Sequence, residues 1–395
     1  MYKKLKSALL VALVCLACGT AQGQSINKSK FGKGLQFVAA DSSFSLKFST
    51  RFQMLYQGVI NNGTNEELED RFLIRRARLK FEGFAYTPKL EYKIELGLSN
   101  SDIGNDDPSR FNNADNIILD AVAMWNFAPG WELWVGQTKL PGNRERIISS
   151  QKMQFVDRSL LNSRYNIDRD AGLQLHHSHN IGNMLVREVA SISMGEGRDI
   201  TVNNAGGYDY TGKIELFPFG EFEGGGAYVG SDIYREETPK LAIAAAYNFN
   251  DNATRSQGQL GDFLSGERDL HTVFADAMFK YRGFSSMAEY ARRKAPDGPV
   301  VLQSDEGAVE ETFVTGNAFN IQAGYLFKTN WEVAGRYTTY NPERTTGLRP
   351  QEQYTLGLSK YIVGHSLKVQ SDVTLQDQPG RENSYMFRLQ MEVAL

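Results

Sequence analysis

The sequence predicts an all-β chain: a transmembrane antiparallel β-barrel of about 16 strands, with 18 as the alternative count. Three observations carry that prediction. Apolar and polar residues alternate over runs of about the ~9–11 residues that a tilted strand needs to cross a bilayer. The connections between runs are alternately short and long. The alternation then continues to the last residue of the chain. Composition agrees: Phe and Tyr are abundant, Gly numbers 37 and Pro only 11, a mixture suited to many strands joined by turns. Beyond the N-terminus no apolar stretch reaches the ~18–20 residues of a membrane-spanning helix.

The N-terminus reads as an export signal over residues 1–23. Lys3, Lys4 and Lys6 form its basic start, residues 8–18 its apolar core, and Ala21-Gln22-Gly23 its cleavage site. Lipidation at Cys18 is the rival reading, but Cys15-Leu16-Ala17 is a poor acylation box. Cleavage before Gln24 leaves 372 residues and shifts the formal charge from −3 to −6, because three lysines and no acids are lost. Both cysteines leave with the signal. The mature chain then has no disulfide, thiol nucleophile or Cys-ligated zinc site. Its acidity argues against a nucleic-acid partner.

Residues 24–43 form a short N-terminal periplasmic segment, too short for a plug domain, and the barrel occupies 44–395. In its first run Phe44, Leu46, Phe48, Thr50, Phe52, Met54 and Tyr56 alternate with Ser45, Lys47, Ser49, Arg51 and Gln53. Leu90 to Leu98, Trp331 to Thr339 and Leu367 to Leu375 repeat the pattern. A soluble sandwich also alternates, but its strands average only ~5–6 residues. The final run, Tyr385, Phe387, Leu389, Met391, Val393 and Leu395, suits a closing strand that leaves no free edge.

Tight links are expected at Thr87-Pro88-Lys89, Ala128-Pro129-Gly130, Arg282-Gly283, Lys328-Thr329-Asn330 and 362–366. Long links are expected at 57–72, 99–116, 139–170, 250–270 and 294–317. Short turns belong at the periplasmic end and long loops outside. Seventeen segments alternate, yet single-chain bacterial barrels have even strand numbers. The segment 222–230, broken by Gly224-Gly225-Gly226, puts the links out of phase and is therefore removed, leaving 16. The next weakest strand is 186–194, where Glu188 would face lipid.

Charge placement identifies the water-lined face. In the second strand Leu73, Ala77, Leu79, Phe81, Gly83 and Ala85 share one side, and Arg76, Arg78, Lys80 and Glu82 the other. Arg or Lys facing lipid at mid-bilayer costs ~2–4 kcal/mol, so the charged side must line water. Arg75 breaks this pattern and is expected on the lipid face near the loop end, where the cost falls to ~0–1 kcal/mol. The long third loop, 139–170, adds Arg144, Arg146, Lys152, Arg158, Arg164 and Arg169 against Glu145, Asp157 and Asp168. Cations in a low-dielectric wall favour anions, and Arg suits phosphate and carboxylate by bidentate donation. The competing reading pairs these arginines with the inward acids Glu82, Glu91, Glu95, Asp120 and Glu132, or has the loop arginines bind lipopolysaccharide.

At these residues the chain resembles the phosphate-selective porin O and P family, in the form common in Bacteroidota. The resemblance is carried by 72–83 (FLIRRARLKFEG), 135–139 (VGQTK) with Arg144 and Arg146, 155–159 (FVDRS), 169–172 (RDAG), 238–241 (TPKL) and 274–280 (FADAMFK). It implies a 16-stranded outer-membrane barrel, usually trimeric, with the third loop folded into the pore. Some members carry an arginine ladder and a phosphate-binding constriction, and a pore role passes to Arg76, Arg78, Arg144 and Arg146. The chain departs from the pattern in ending at Leu395 rather than an aromatic. It also lacks a lysine cluster matching a dedicated phosphate constriction.

The expectation is an outer-membrane porin passing small hydrophilic solutes, with anions preferred. Its anion path is expected to include Arg76, Arg78, Lys80, Arg144, Arg146, Arg158, Arg164 and Arg169. Expected partners are the solutes, outer-membrane lipid and lipopolysaccharide, the barrel-assembly machinery and two further copies in a homotrimer. No cofactor is expected. The alternatives are a barrel protease or phospholipase, and a secreted glycan-binding β-sandwich. His176, His177, His271 and His365 offer no obvious catalytic partner set, and GxGxxG, Walker, HExxH and GxSxG motifs are absent. His176 and His177 point to opposite faces of a strand, so with His179 they read as a polar periplasmic turn, not a metal site. Glu66, Glu67, Glu69 and Asp70, and Asp106 with Asp107, lack calcium-loop spacing. Trp125, Trp131, Trp134 and Trp331 lie at strand ends near turns, and an interfacial girdle accounts for most of them.

Overall fold

A computed structural model describes residues 30–61, 68–99 and 116–395. The export signal, Glu66 and Glu67, and the Asp106–Asp107 pair lie outside the described residues. A short strand, β1 (Leu35–Val38), is followed by β2 (Ser45–Asn61), β3 (Leu68–Ala85), β4 (Thr87–Gly97), β5 (Ile118–Ala128), β6 (Trp131–Lys139), β7 (Arg169–Ile181) and β8 (Met184–Ser193). Next come β9 (Asp209–Phe217), β10 (Lys240–Arg255), β11 (Phe263–Tyr281) and β12 (Phe284–Lys294). A loop hairpin, β13 (Val300–Gln303) with β14 (Val309–Thr312), precedes β15 (Gly316–Leu326), β16 (Trp331–Pro342), β17 (Gln351–Val363), β18 (Leu367–Asp377) and β19 (Ser384–Ala394).

Strands β2–β12 and β15–β19 form a closed antiparallel barrel of 16 strands. Each pairs with its neighbour, and β19 returns to β2 from Ser384↔Asn61 to Ala394↔Arg51. Leu395 extends the seam, its amide donating to the Thr50 carbonyl at 2.8 Å. Closure leaves no spanning strand with an unpaired edge, which hydrocarbon demands. It also excludes the two-layered sandwich. β1 pairs with Ser45–Phe48 of β2 and covers the stretch of that strand beyond the end of β19.

The barrel is apolar outside and polar inside. Ile94, Val135, Leu173, Ile214, Ile243, Ile321 and Leu356 are exposed on the outer face, while Gln53, Asp120, Lys280, Asn320, Asp372 and Glu392 are buried within. The 222–230 segment is not a strand but a 3-10 turn, Glu223–Tyr228, within the 22-residue connection between β9 and β10. β8 does span, and Glu188 lies on its outward side.

The short links fall at 129–130, 182–183, 282–283, 327–330 and 364–366, all at one rim. The first tight turn lies one residue earlier than its Pro suggests, with Tyr86 in the left-handed region at φ 65°. Gly130, at φ 76°, makes the 129–130 turn, and a β-carbon there would lie 2.4 Å from the Ser178 carbonyl. The 218–239 connection is the exception, a long link at the short-turn rim.

Candidate functional site

Two connections enter the barrel, one from each rim. From the long-loop end, residues 140–168 fold inward and carry α1 (Arg144–Ile147), a 3-10 turn (Ser150–Lys152) and α2 (Leu160–Tyr165). Ser159 caps α2 by accepting from the Asn162 amide at 3.2 Å. Lys139, at the end of β6, donates to the carbonyls of Arg146 and Ile147 at 2.7 and 3.1 Å, holding the open end of α1. Leu160, Leu161, Tyr165 and Ile167 pack against Ala246, Phe274, Ala291, Ala318 and Tyr340 of the far wall. Small inward residues there make room for the loop, which burial of its apolar side chains then holds in place.

From the opposite rim, 218–239 folds up beneath it. The Gly230 amide donates to the Lys152 carbonyl at 2.8 Å. Phe222 and Ala227 join Ile148 and Met153 in one apolar cluster. Arg144 joins the two connections to the wall: it donates to the Ala227 carbonyl (3.1 Å), Glu215 (3.0 Å) and Asp276 (2.5 Å). The wall grips the third loop elsewhere too. Asp372 accepts from the Val156 amide at 3.1 Å, and Gln154 donates to Glu332 at 2.8 Å.

The filled half leaves an open half. A cavity of about 1190 Å³ runs along β2–β9 and β19. Seventeen cationic side chains line it against seven carboxylates, the reverse of the chain's net charge. Arg76, Arg78, Lys80, Arg146, Arg158 and Arg169 are all among them. Two expected members are not. Arg144 is fully buried between Glu215 and Asp276, and Arg164 lies over the Tyr340 ring at 5.2 Å. Both lie on the side where the loop meets the far wall, a choice that spacing along the loop does not reveal.

Arg75 is also corrected. β2 and β3 pair as Gln53↔Arg76 and then Met54↔Ile74, so Arg75 is the extra residue of a bulge. The bulge turns Arg75 and Arg76 to the same side, and both reach Asp157, at 3.0 and 3.3 Å. It also reverses the parity of the residues before it. Phe72 and Ile74 face out, 70% and 60% exposed, and Leu73 pairs with the buried Leu55.

Other lining residues were missed by the sequence reading. Arg51, Lys93 and Arg388 join the cationic wall, and the inward position of Arg51 was already legible in the alternation of β2. Trp134 is not part of the girdle. It faces the lumen, stacked on His176 with ring centroids 4.2 Å apart. Trp125 and Trp331 are exposed outside, as an interfacial belt requires.

Wall carboxylates neutralise part of the charge. Glu95 lies within 3.9 Å of both Arg51 and Arg78, and Asp120 holds Lys93 (2.6 Å) and Arg169 (3.0 Å). The remainder is an excess of cations. Arg158 donates to the carbonyls of Glu145 and Ile148 (3.1 and 2.8 Å) and forms no ion pair among the described residues. Burial, and then repulsion from Arg76, push its guanidinium down to about 9. Burial followed by Arg158 and Arg169 lowers Arg146 well below its usual range. Burial alone would raise the Asp157 carboxyl, but Arg75, Arg76 and Arg388 outweigh it and hold that group below the usual carboxylate range. Like charges held this close favour any anion that enters between them.

A family model described as phosphate-selective porin O and P matches residues 46–384. Among curated proteins, none matches the sequence. Solved structures share the fold at low identity. The anion-selective porin from Comamonas acidovorans aligns with TM-score 0.55 and 12% identity, over 89% of this chain and 100% of its own. The outer membrane channel DcaP of Acinetobacter baumannii gives 0.55 and 11%, over 91% and 99%. The trimer form of OmpT, an outer membrane protein of Vibrio cholerae, gives 0.53 and 9%, over 89% and 100%.

Proposed function

Because the chain belongs to the phosphate-selective porin O and P family and is an outer-membrane porin, we propose that its half-open lumen passes small hydrophilic solutes by diffusion and favours anions. The observation that carries this reading is the cationic excess along the open half of the lumen. A fixed charge in a low-dielectric wall lowers the entry barrier for ions of opposite sign. The ion path runs past Arg76, Arg78, Lys80, Arg146, Arg158 and Arg169. Arg144 instead holds the third loop, and Arg164 backs it. The lumen offers guanidinium forks that suit phosphate, sulfate and carboxylates alike, so the preference is for small oxyanions as a class.

The same reading takes residues 1–23 as an export signal, cleaved before Gln24. The barrel-assembly machinery receives the closing strand, three copies associate as in the trimeric neighbour, and loop cations contact lipopolysaccharide. No catalytic step is involved. His176 bonds Gln174, His177 bonds Glu188 and His271 bonds the Tyr247 hydroxyl, and among the described residues none pairs with a serine hydroxyl.

The test is the zero-current potential of the purified channel in a planar bilayer across a KCl gradient. Stepwise conductance with an anion-favouring potential is expected. A cation-favouring potential overturns the selectivity reading, and a folded barrel without conductance overturns the channel.

A further inference from the structure

β7 and β8 carry a cluster of two histidines and a carboxylate at the edge of the lumen, to which the ion path described above assigns no role. On β7, His177 and His179 continue the outward row of Leu173 and Leu175, and on β8 Glu188 shares the outward face of Ala190 and Ile192. His177 is paired in register with both Glu188 and Trp131, close to the 129–130 and 182–183 turns. The group therefore sits at the short-turn rim, level with the aromatic belt, where His177 and Glu188 also border the mouth of the open cavity.

Its geometry is convergent. His177 Nδ1 lies 2.7 Å from Glu188 Oε2, and His179 Nδ1 lies 3.8 Å from the same oxygen. The two imidazoles stack at 4.8 Å, and Trp131 covers the other side of His177 at 4.0 Å. One potential ligand atom from each of the three residues falls within a 4.8 Å span. His179 Nδ1 is enclosed yet has no hydrogen-bond partner. A simple His177–Glu188 hydrogen bond accounts for one imidazole and leaves the second unexplained.

We propose that His177, His179 and Glu188 bind a first-row divalent cation of the zinc type. Two imidazole nitrogens and one carboxylate oxygen are a common donor set for that ion, with a fourth position open to water. Ligand bonds of ~2.0–2.2 Å place donor atoms roughly 3.3 Å apart around a tetrahedron. The separations found here, from 2.7 to 4.8 Å, bracket that spacing. With neutral imidazoles the donor set carries one negative charge, which the cation neutralises on an otherwise apolar face. Bound metal ties β7 to β8 across the sheet. The adjacent His176 takes no part, because it faces the lumen against Trp134.

The experiment is calorimetric titration of the tag-free, chelator-treated mature chain in detergent with ZnCl2, followed by Co2+ absorption spectroscopy. One Zn2+ per chain is expected, with an intense visible Co2+ band of imidazole-containing four-coordinate geometry. His179→Ala and Glu188→Gln should each weaken binding by about tenfold or more, in barrels that keep the heat-modifiable gel mobility of the parent. No saturable uptake up to millimolar Zn2+, or uptake unchanged in a His179→Ala/Glu188→Gln double variant, overturns the proposal.

Discussion

Arg75 and Arg76 reach the same carboxylate because a single bulge sets two residues of β3 against one of β2. The pair, with Arg78, forms the densest cationic stretch of the wall, and Asp157 from the third loop is its main counter-charge. Two predictions belong at this scale. Changing Arg76 and Arg78 together to Ala removes fixed charge from the ion path, and the anion-to-cation permeability ratio should fall by roughly a factor of a few. The reversal potential across a KCl gradient measures it. The second concerns pH. The carboxyl of Asp157 is lowered in the folded chain. Its ion pairs are therefore fully present above the ordinary aspartate value of ~3.9 and are lost only as pH falls through the depressed folded value. Asp157→Asn should raise both the open-channel current noise and the anion preference at pH 7, and the difference from the parent should persist at pH 4.5, where the parent keeps these ion pairs.

Among the elements, the third loop is held from three sides: by far-wall packing, by wall carboxylates and amides, and by the 218–239 connection beneath it. Arg144 is common to the last two. Arg144→Ala would leave Glu215 and Asp276 without this buried partner, at a cost of about 3–5 kcal/mol. A lowered denaturant midpoint, or loss of the heat-modifiable folded band, would register it. Gly230→Val tests the clamp directly. A β-carbon at Gly230 would lie 2.5 Å from the Gln154 amide nitrogen, so the two connections would have to separate. With the wall intact, the expected outcome is a folded barrel whose conductance fluctuates more than the parent's.

At the level of the molecule, closure and inside-out polarity are one requirement seen twice. Hydrocarbon permits no unpaired strand edge and tolerates few outward charges, so the wall closes and its charges turn inward. Ile321 lies midway along the outward face of β15, 45% exposed. Ile321→Lys should cost about 2–4 kcal/mol in a folding titration into lipid vesicles. Ser49→Lys, lining the open cavity, should leave folding energy almost unchanged and strengthen the anion preference. Equal costs at the two positions would contradict the assignment of faces.

Alternation, a count of about 16 strands with 18 still open, and the inward placement of Arg76, Arg78 and Lys80 were legible in the sequence alone. Each follows from period two within a strand, combined with the solvation cost of a charge in lipid. The rejection of 222–230 as a strand belongs here too, since three consecutive glycines and the phase of the links are local facts. The side of Arg75 was not legible, because a bulge is a mismatch between two strands and leaves little mark on either one. Arg144, Arg146, Arg158 and Arg164 lie within about twenty residues on one loop, yet two line the open cavity, Arg144 is buried between wall carboxylates, and Arg164 lies over the Tyr340 ring of the far wall. That division depends on which alanines and carboxylates of distant strands face the loop once the barrel has closed. The meeting of His177 and His179 with Glu188 likewise depends on strand register. The tertiary structure decided these placements, because they depend on contacts between segments whose separation along the chain says nothing about their distance in space.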